Sequence, residues 1–280
     1  MPTQIAPPPL HQPPAPRPAP ASEPASAVPG PSGPDTSERE SPVRARMTRM
    51  RTQPRPWDPS YFTTRANLAV LRRAIRAAGQ RPRVVDVGCG AKPFAALLPA
   101  GAEHLGVDFD ARTAADLVHD LNEALPLPSE SAELVILSET LEHVHEPELV
   151  LAEAARLLVP GGQLFLSAPF AFPIHGRPFD YRRFTDYYYR RVGECHPLEL
   201  VELEASNNVV STPLLLVAQI LQSAPLLPWW AKRPGWLALN GLAVVLELAG
   251  RRWWRSEGRI GLFLRMNPCG YAMRFRRRPG

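Results

Sequence analysis

Two glycines close a run of β-branched residues in Val84-Val85-Asp86-Val87-Gly88-Cys89-Gly90-Ala91-Lys92-Pro93-Phe94. An apolar strand that ends in such a turn lets backbone approach a ligand closely, because glycine carries no Cβ and takes up positive φ at little cost. A second apolar run ends in Leu105-Gly106-Val107-Asp108-Phe109-Asp110, which puts Asp108 18 residues beyond Gly90. At about that separation a carboxylate can accept hydrogen bonds from the two hydroxyls of a ribose. A glycine turn alone also arises for conformational reasons, and it is the carboxylate that makes the pair a candidate nucleotide site.

Two nucleotide-type cofactors fit this pairing. A dinucleotide needs a third glycine where this chain has Lys92 and Pro93, and Pro93 bars the usual helix opening onto a pyrophosphate. Asp86 would repel phosphate, yet it can organise the loop around a cationic amino-acid moiety. That favours S-adenosylmethionine over NAD.

Further chemistry lies in Ile174-His175-Gly176-Arg177-Pro178-Phe179-Asp180-Tyr181-Arg182-Arg183-Phe184-Thr185. His175 can take a proton from an acceptor hydroxyl, with Asp180 orienting it and Tyr181, Arg177 or Arg182 holding a polar substrate. The same residues also admit a structural part, with Asp180 paired to Arg182 or Arg183 and His175 satisfying a loop carbonyl. His143 and His145 lack a third ligand at a recognisable spacing, so no metal is assigned; His143 is expected to pack beneath the cofactor or to cap the helix after Pro147. Cys89 reads as a small space-filler, since nothing near it in sequence would lower its pKa.

The elements that must position these residues follow from periodicity. Thr63 or Thr64 can cap a helix with Leu68, Leu71, Ile75 and Ala78 on one face, ending at Gly79. Short strands then alternate with helices: strands at 83–87, 104–107, 117–119, 134–137, 163–167 and 200–203, helices at 94–98, 148–158 and 185–192. Alternation with unbroken apolar strands implies an α/β fold, a doubly wound, mostly parallel sheet covered on both faces. Residues 267–278 read as a closing edge strand.

In this setting residues 83–170 resemble a class I S-adenosylmethionine-dependent methyltransferase of the type-11 group. The resemblance rests on the Asp86-to-Gly90 turn, Asp108, Asp120-Leu121, the segment LVILSETLEHV at 134–144 and LLVPGGQLFLSAPF at 157–170. It implies a Rossmann-like fold with Gly88 and Gly90 beside the methionine part, Asp108 on the ribose, and Asp120 and Leu121 at the adenine. Ser138 and Glu139 would close the pocket. Asp86, Cys89 and Phe109 join the expected cofactor-binding set, and His175, Asp180 and Tyr181 the catalytic one. The chain departs from the pattern at Lys92-Pro93. The combination GCGAKPF with IHGRPFDYRRFT is further similar to methyltransferases of bacterial polysaccharide and glycoconjugate biosynthesis.

Composition bounds the rest. Of 34 prolines, half fall in the first 60 residues, a stretch with almost no aromatic residue, so residues 1–58 are expected to be a disordered arm and 59–280 the methyltransferase domain. Net charge is +3 over residues 1–55, −6 over 56–250 and +8 over 251–280. Residues 213–255 form an apolar helical insertion before the last strand, ending in Arg251-Arg252-Trp253-Trp254-Arg255. Tryptophan and arginine bordering apolar helices suit peripheral attachment to an anionic leaflet, whereas core or dimer packing would use the same helices without it. No nucleic-acid partner is expected, because the basic residues sit beside apolar surface. Cys89, Cys195 and Cys269 have no disulfide spacing, the start shows no apolar h-region, and no window of about 18 apolar residues occurs. The expected location is cytoplasmic, at most peripheral on the inner face of the membrane. The expected reaction is methyl transfer to oxygen on a glycan, glycolipid or similar amphiphilic acceptor. A quinone-like or other small metabolite is the alternative, and a non-catalytic cofactor-binding or tethered interaction protein the alternative of another class.

Overall fold

Strands form where aliphatic and β-branched residues run unbroken: β1 (Arg83–Val87), β2 (Glu103–Asp108), β3 (Leu117–Val118), β4 (Ala132–Ser138), β5 (Leu158–Pro169), β6 (Leu198–Ala205) and β7 (Gly270–Arg277). In the computed structural model, which describes residues 42–223, 228–254 and 266–279, they make one sheet in the order β3-β2-β1-β4-β5-β7-β6. Strands β1 to β5 pair in parallel, and β7 runs antiparallel to both β5 and β6. Val135, Ile136 and Leu137 in β4 and Leu164, Phe165 and Leu166 in β5 are fully buried, as a sheet covered on both faces requires.

Helix α1 spans Pro42–Thr52 and α2 spans Tyr61–Ala78. The apolar stripe Val70, Leu71, Ala74 and Ile75 of α2 packs on Val84, Leu134, Ile136 and Phe165. On the opposite face α3 (Pro147–Leu157) and α4 (Asp186–Cys195) bury Val150, Leu151, Ala154, Tyr189 and Val192 against Val85, Val135, Leu137 and Met273. The doubly wound, mostly parallel sheet expected from the alternation is thus present.

Four local expectations are corrected. Helix α2 begins after Ser60, so Thr63 lies in its first turn rather than capping it. Residues 94–98 hold only a 3-10 turn, Ala95–Leu97, because Pro93 and Pro99 frame too short a segment to propagate a helix. Strand β7 is interior and β6 is the edge: Ala272, Met273 and Phe275 are fully buried, whereas Val201 of β6 is exposed. Residues 42–58, placed in the arm by composition, are structured. Met50 of α1 is buried and Arg49 makes a bidentate pair with Asp58 at 2.8 and 2.9 Å. The arm before residue 42 lies outside the described residues.

The apolar insertion folds as α5 (Thr212–Ser223) and α6 (Trp229–Trp254), pinned together where Trp236 Nε1 donates to the Ala218 carbonyl at 3.1 Å. Pro234 stays inside α6 near its N-terminal end, where few ladder bonds are at stake. Helix α6 turns polar side chains inward beside the buried apolar Trp236 and Ala243 and leaves leucines exposed. Asn240 is buried and donates to the carbonyls of Pro56 and Asp58, and Glu247 accepts from the Asn208 N–H and the Ser211 hydroxyl. Leu237, Leu242, Val245 and Leu248 face outward and are half or more exposed. No helix among the described residues is long and apolar enough to cross a membrane.

Candidate cofactor and acceptor site

The sheet order places β2 and β3 on one side of β1 and β4 on the other, so the chain reverses direction across the sheet between β1 and β4. At such a switch point the loops beyond the strands' carboxyl ends diverge and leave a crevice. Here the crevice is a cavity of about 810 Å³ bordered by Gly88, Asp108, Phe109, Leu121, Glu139 and Tyr181, among others. That volume lies within the roughly 300–1,000 Å³ of cofactor sites.

Its floor is built by close approach of two loops. Gly88 has φ +75°, and a Cβ there would stand 2.5 Å from Thr140 Oγ1, whose hydroxyl donates to the Val87 carbonyl at 3.1 Å. Gly90, at φ +52°, donates its N–H to Asp108 Oδ2 at 2.8 Å, and Asp108 Oδ1 accepts from the Asp110 N–H at 3.1 Å. Each carboxylate oxygen therefore keeps a lone pair for a ligand hydroxyl. Phe109 is 56% exposed at the rim, edge-on to Phe179 at 5.6 Å. A ribose acceptor, a base-stacking ring and a glycine turn fit an adenosyl group.

The expected residues divide. Gly88, Asp108, Phe109, Asp120, Leu121, Glu139 and Tyr181 border the cavity. Gly90 acts one step back by holding Asp108. Asp86 is buried with its Oδ2 3.3 Å from His104 Nε2, and loss of hydration pushes its carboxyl above the usual range. Cys89 is buried, and burial pushes its thiol up to about 12, in keeping with a space-filler. Ser138 is tied to Ser167 across β4 and β5 at 3.2 Å. At the departure from the family pattern, Lys92 pairs with Asp116, which also accepts from the Gly106 N–H at 2.7 Å. Lys92 thus straps the glycine turn to β2.

The catalytic expectation is corrected in part. Asp180 is bound by Arg183 through both carboxylate oxygens, at 2.5 and 2.8 Å, and accepts from the His175 backbone N–H at 3.0 Å. The Arg183 guanidinium holds its carboxyl well below the usual range. His175 Nδ1 lies 3.3 Å from the Pro173 carbonyl, and neither His175 nor Asp180 borders the cavity. These contacts fit the structural part described above, while Asp180 Oδ2 also lies 3.3 Å from His175 Nδ1, where the orienting contact was expected. His175 is instead held above its ordinary value by its contact with buried Glu142.

Several residues escaped sequence reasoning. Thr140, Asn122, His145 and Phe179 all border the cavity, as does His143, which was expected beneath the cofactor. Asn122 Oδ1 accepts from the backbone N–H groups of His145 and Glu146, and Asn122 itself donates to Asp120 Oδ1 at 2.8 Å. Glu139, at φ +55°, takes a hydrogen bond from Asn67 of α2 at 3.3 Å, and burial with the nearby charge of Glu142 pushes it up to about 7. A non-glycine residue at positive φ costs of order 1–3 kcal/mol and tends to mark a functional site.

Comparison with known proteins agrees with this geometry. Residues 85–166 match the family model described as a methyltransferase domain. A candidate S-adenosylmethionine-dependent methyltransferase of Mycolicibacterium smegmatis is 31% identical over 133 residues, 44% of this chain and 51% of that protein. A ubiquinone biosynthesis O-methyltransferase of Dechloromonas aromatica is 34% identical over 135 residues, 40% of this chain and 56% of that protein. The chain spans about half the length of these curated relatives. Among solved structures, the [4+2]-cyclase SpnF superposes with TM-score 0.50 at 17% identity, covering 77% of this chain and 81% of that one. A candidate sarcosine dimethylglycine methyltransferase from Galdieria sulphuraria gives TM-score 0.50 at 13% identity, covering 76% and 85%. Both likenesses concern the fold alone. With the site geometry, the match over residues 85–166 and the curated relatives support a methyltransferase domain on a class I, Rossmann-like fold with S-adenosylmethionine as its cofactor.

Proposed function

We propose that the protein transfers a methyl group from S-adenosylmethionine to an oxygen of a glycan, glycolipid or similar amphiphilic acceptor. One observation carries the acceptor class: Tyr181 borders both the cofactor cavity and a second cleft of about 680 Å³. That cleft is framed by Phe170, Phe172 and Ile174 with Leu216 and Ile220 of α5, and Asp180, Arg182 and Arg183 line its loop side. A polar head on the cavity side and an aliphatic tail in the cleft would meet across one loop.

When bound, the cofactor supplies an electrophilic methyl group on a sulfonium. Asp108 accepts from the ribose, Leu121 and Phe109 cover the adenine, and Gly88 leaves room for the methionine part. Asn122, His145 and Tyr181 hold the acceptor; the last two are already packed ring to ring at 4.3 Å. Such a displacement depends chiefly on positioning, and Asp180 contributes by fixing the loop through Arg183.

The outward apolar sides of α5 and α6 support peripheral attachment to an anionic membrane. Val217, Ile220, Trp230, Leu237, Val245 and Leu248 are exposed there, and residues 251–265, the last turn of α6 and the sequence after it, carry five arginines against one glutamate. An apolar face beside positive charge suits an anionic lipid surface.

The ubiquinone biosynthesis O-methyltransferases among the relatives favour a second reading, a quinone-like acceptor. Labelled methyl transfer into an extract of the source cells, followed by mass spectrometry, separates the two. A labelled glycan or lipid-linked glycan is the expected product, a labelled quinone establishes the second reading, and no labelled product in an extract containing both classes contradicts either.

A further inference from the structure

Beside the cofactor cavity, three side chains converge in a way that methyl-donor binding does not explain. Glu142 is fully buried on the short turn after β4, and neither of its carboxylate oxygens has a hydrogen-bond partner. His143 Nε2 lies 3.6 Å from Glu142 Oε1, and His175 Nε2 lies 3.5 Å from the same oxygen. The ligating atoms of Glu142, His143 and His175 all lie within 4.8 Å of one another.

The far side of each ring sets its tautomer. His143 Nδ1 is 2.9 Å from the Phe179 carbonyl, and His175 Nδ1 is 3.3 Å from both the Pro173 carbonyl and Asp180 Oδ2. All of these partners are acceptors, so each Nδ1 carries the hydrogen and each Nε2 presents a lone pair. With both rings neutral, two nitrogen lone pairs face a buried carboxylate. A positive charge resolves that repulsion, either a proton on His175 Nε2 or a metal cation held by all three side chains. Ligands bound at about 2.0–2.2 Å in a tetrahedron stand about 3.4 Å apart, close to the 3.5 and 3.6 Å found here. Backbone carbonyls and a carboxylate behind metal-bound histidines are the usual orienting partners. The loop is also pressed into place, since a Cβ on Gly176 would meet His143 Cε1 at 2.7 Å.

We propose that Glu142, His143 and His175 bind one divalent transition-metal cation such as Zn²⁺ or Mn²⁺. A nitrogen-rich set with one carboxylate suits such ions and leaves coordination positions open. Because His143 borders the cofactor cavity, an open position there can take the acceptor's oxygen and ease loss of its proton. Only this last role rests on the methyl-transfer reading.

The test uses the full chain freed of metal by a chelator, titrated with Zn²⁺ and Mn²⁺ by calorimetry. One cation per chain is expected. Glu142→Gln and His175→Ala should each weaken binding by about 100-fold or more, since loss of an orienting partner alone costs about 10- to 100-fold. His196→Ala, outside the cluster, should leave it unchanged. Native chain loaded with Cu²⁺ should show nitrogen couplings of two imidazoles in its paramagnetic-resonance spectrum, a readout that needs no variant to fold. Absence of binding, binding indifferent to both variants, or a spectrum without imidazole couplings overturns the proposal. S-adenosylmethionine binding to the metal-free chain, measured alongside, separates failure of this site from failure of the methyl-transfer reading.

Discussion

Thr140 occupies the space that a side chain on residue 88 would need: its Oγ1 and Cγ2 stand 2.5 and 2.7 Å from the position of a Cβ on Gly88. The two loops at the switch point thereby interlock, and Gly88 also holds φ +75°. Gly88→Ala should lower stability by about 1–3 kcal/mol from backbone strain, and further from displacement of Thr140. In a Thr140→Ala background the contact is relieved and mainly the strain remains. Denaturant unfolding of both single variants and the double variant checks this; additive losses would contradict the interlock.

Glu153 pairs with Arg156 at 2.9 and 2.7 Å and accepts from the Leu125 N–H at 2.9 Å. These bonds, the Arg156 guanidinium foremost, hold its carboxyl below the ordinary glutamate value. The unfolded chain therefore binds that proton more readily. The stabilisation is complete above the ordinary value and is lost as pH falls through the folded one. Glu153→Gln should cost about 1 kcal/mol at neutral pH and less near pH 3. Unfolding curves at the two pH values decide, and a difference independent of pH would contradict the assignment.

Helix α1 ties residues 42–58 to the domain through Met50 and the Arg49–Asp58 pair. A chain starting at Pro42 should melt as the full chain does. One starting at Pro54 should lose several degrees, since burial of one such side chain contributes about 1.5–3 kcal/mol. Calorimetric melting of both truncations checks this, and equal melting would return residues 42–53 to the arm.

Flotation with liposomes tests the outward apolar side of α5 and α6. The protein should rise with anionic vesicles at low salt and less as salt increases, because each basic residue near the surface contributes about 1 kcal/mol that ions screen. Replacing Leu237, Val245 and Leu248 with serine should abolish flotation without unfolding, as all three are half or more exposed. Flotation by the triple variant equal to that of the native chain would rule out this face.

Spacing made the cofactor end legible: Gly88, Gly90 and Asp108 sit where one strand ends and the next returns, a relationship that survives in one dimension. The acceptor end was hidden, because His175 and Glu142 meet only when the loop after β5 folds over the turn after β4. Histidine spacing alone could not supply that third ligand. The run that became β7 has strand texture, but only pairing with both β5 and β6 shows it to be interior. Helix α6 misleads any periodicity argument, since Asn240 and Glu247 point inward at backbone and hydroxyl partners while leucines point out. Composition likewise hid α1, whose neighbourhood is dominated by proline.

Asp108 is the residue on which the cofactor assignment turns, and calorimetry of S-adenosylmethionine binding tests it most directly. The native chain should bind in the micromolar range. Asp108→Ala should weaken binding by about 1.5–3 kcal/mol, roughly 10- to 150-fold, through loss of the ribose hydrogen bonds. Unchanged affinity in a folded Asp108→Ala chain, or no binding by the native chain, would contradict the account.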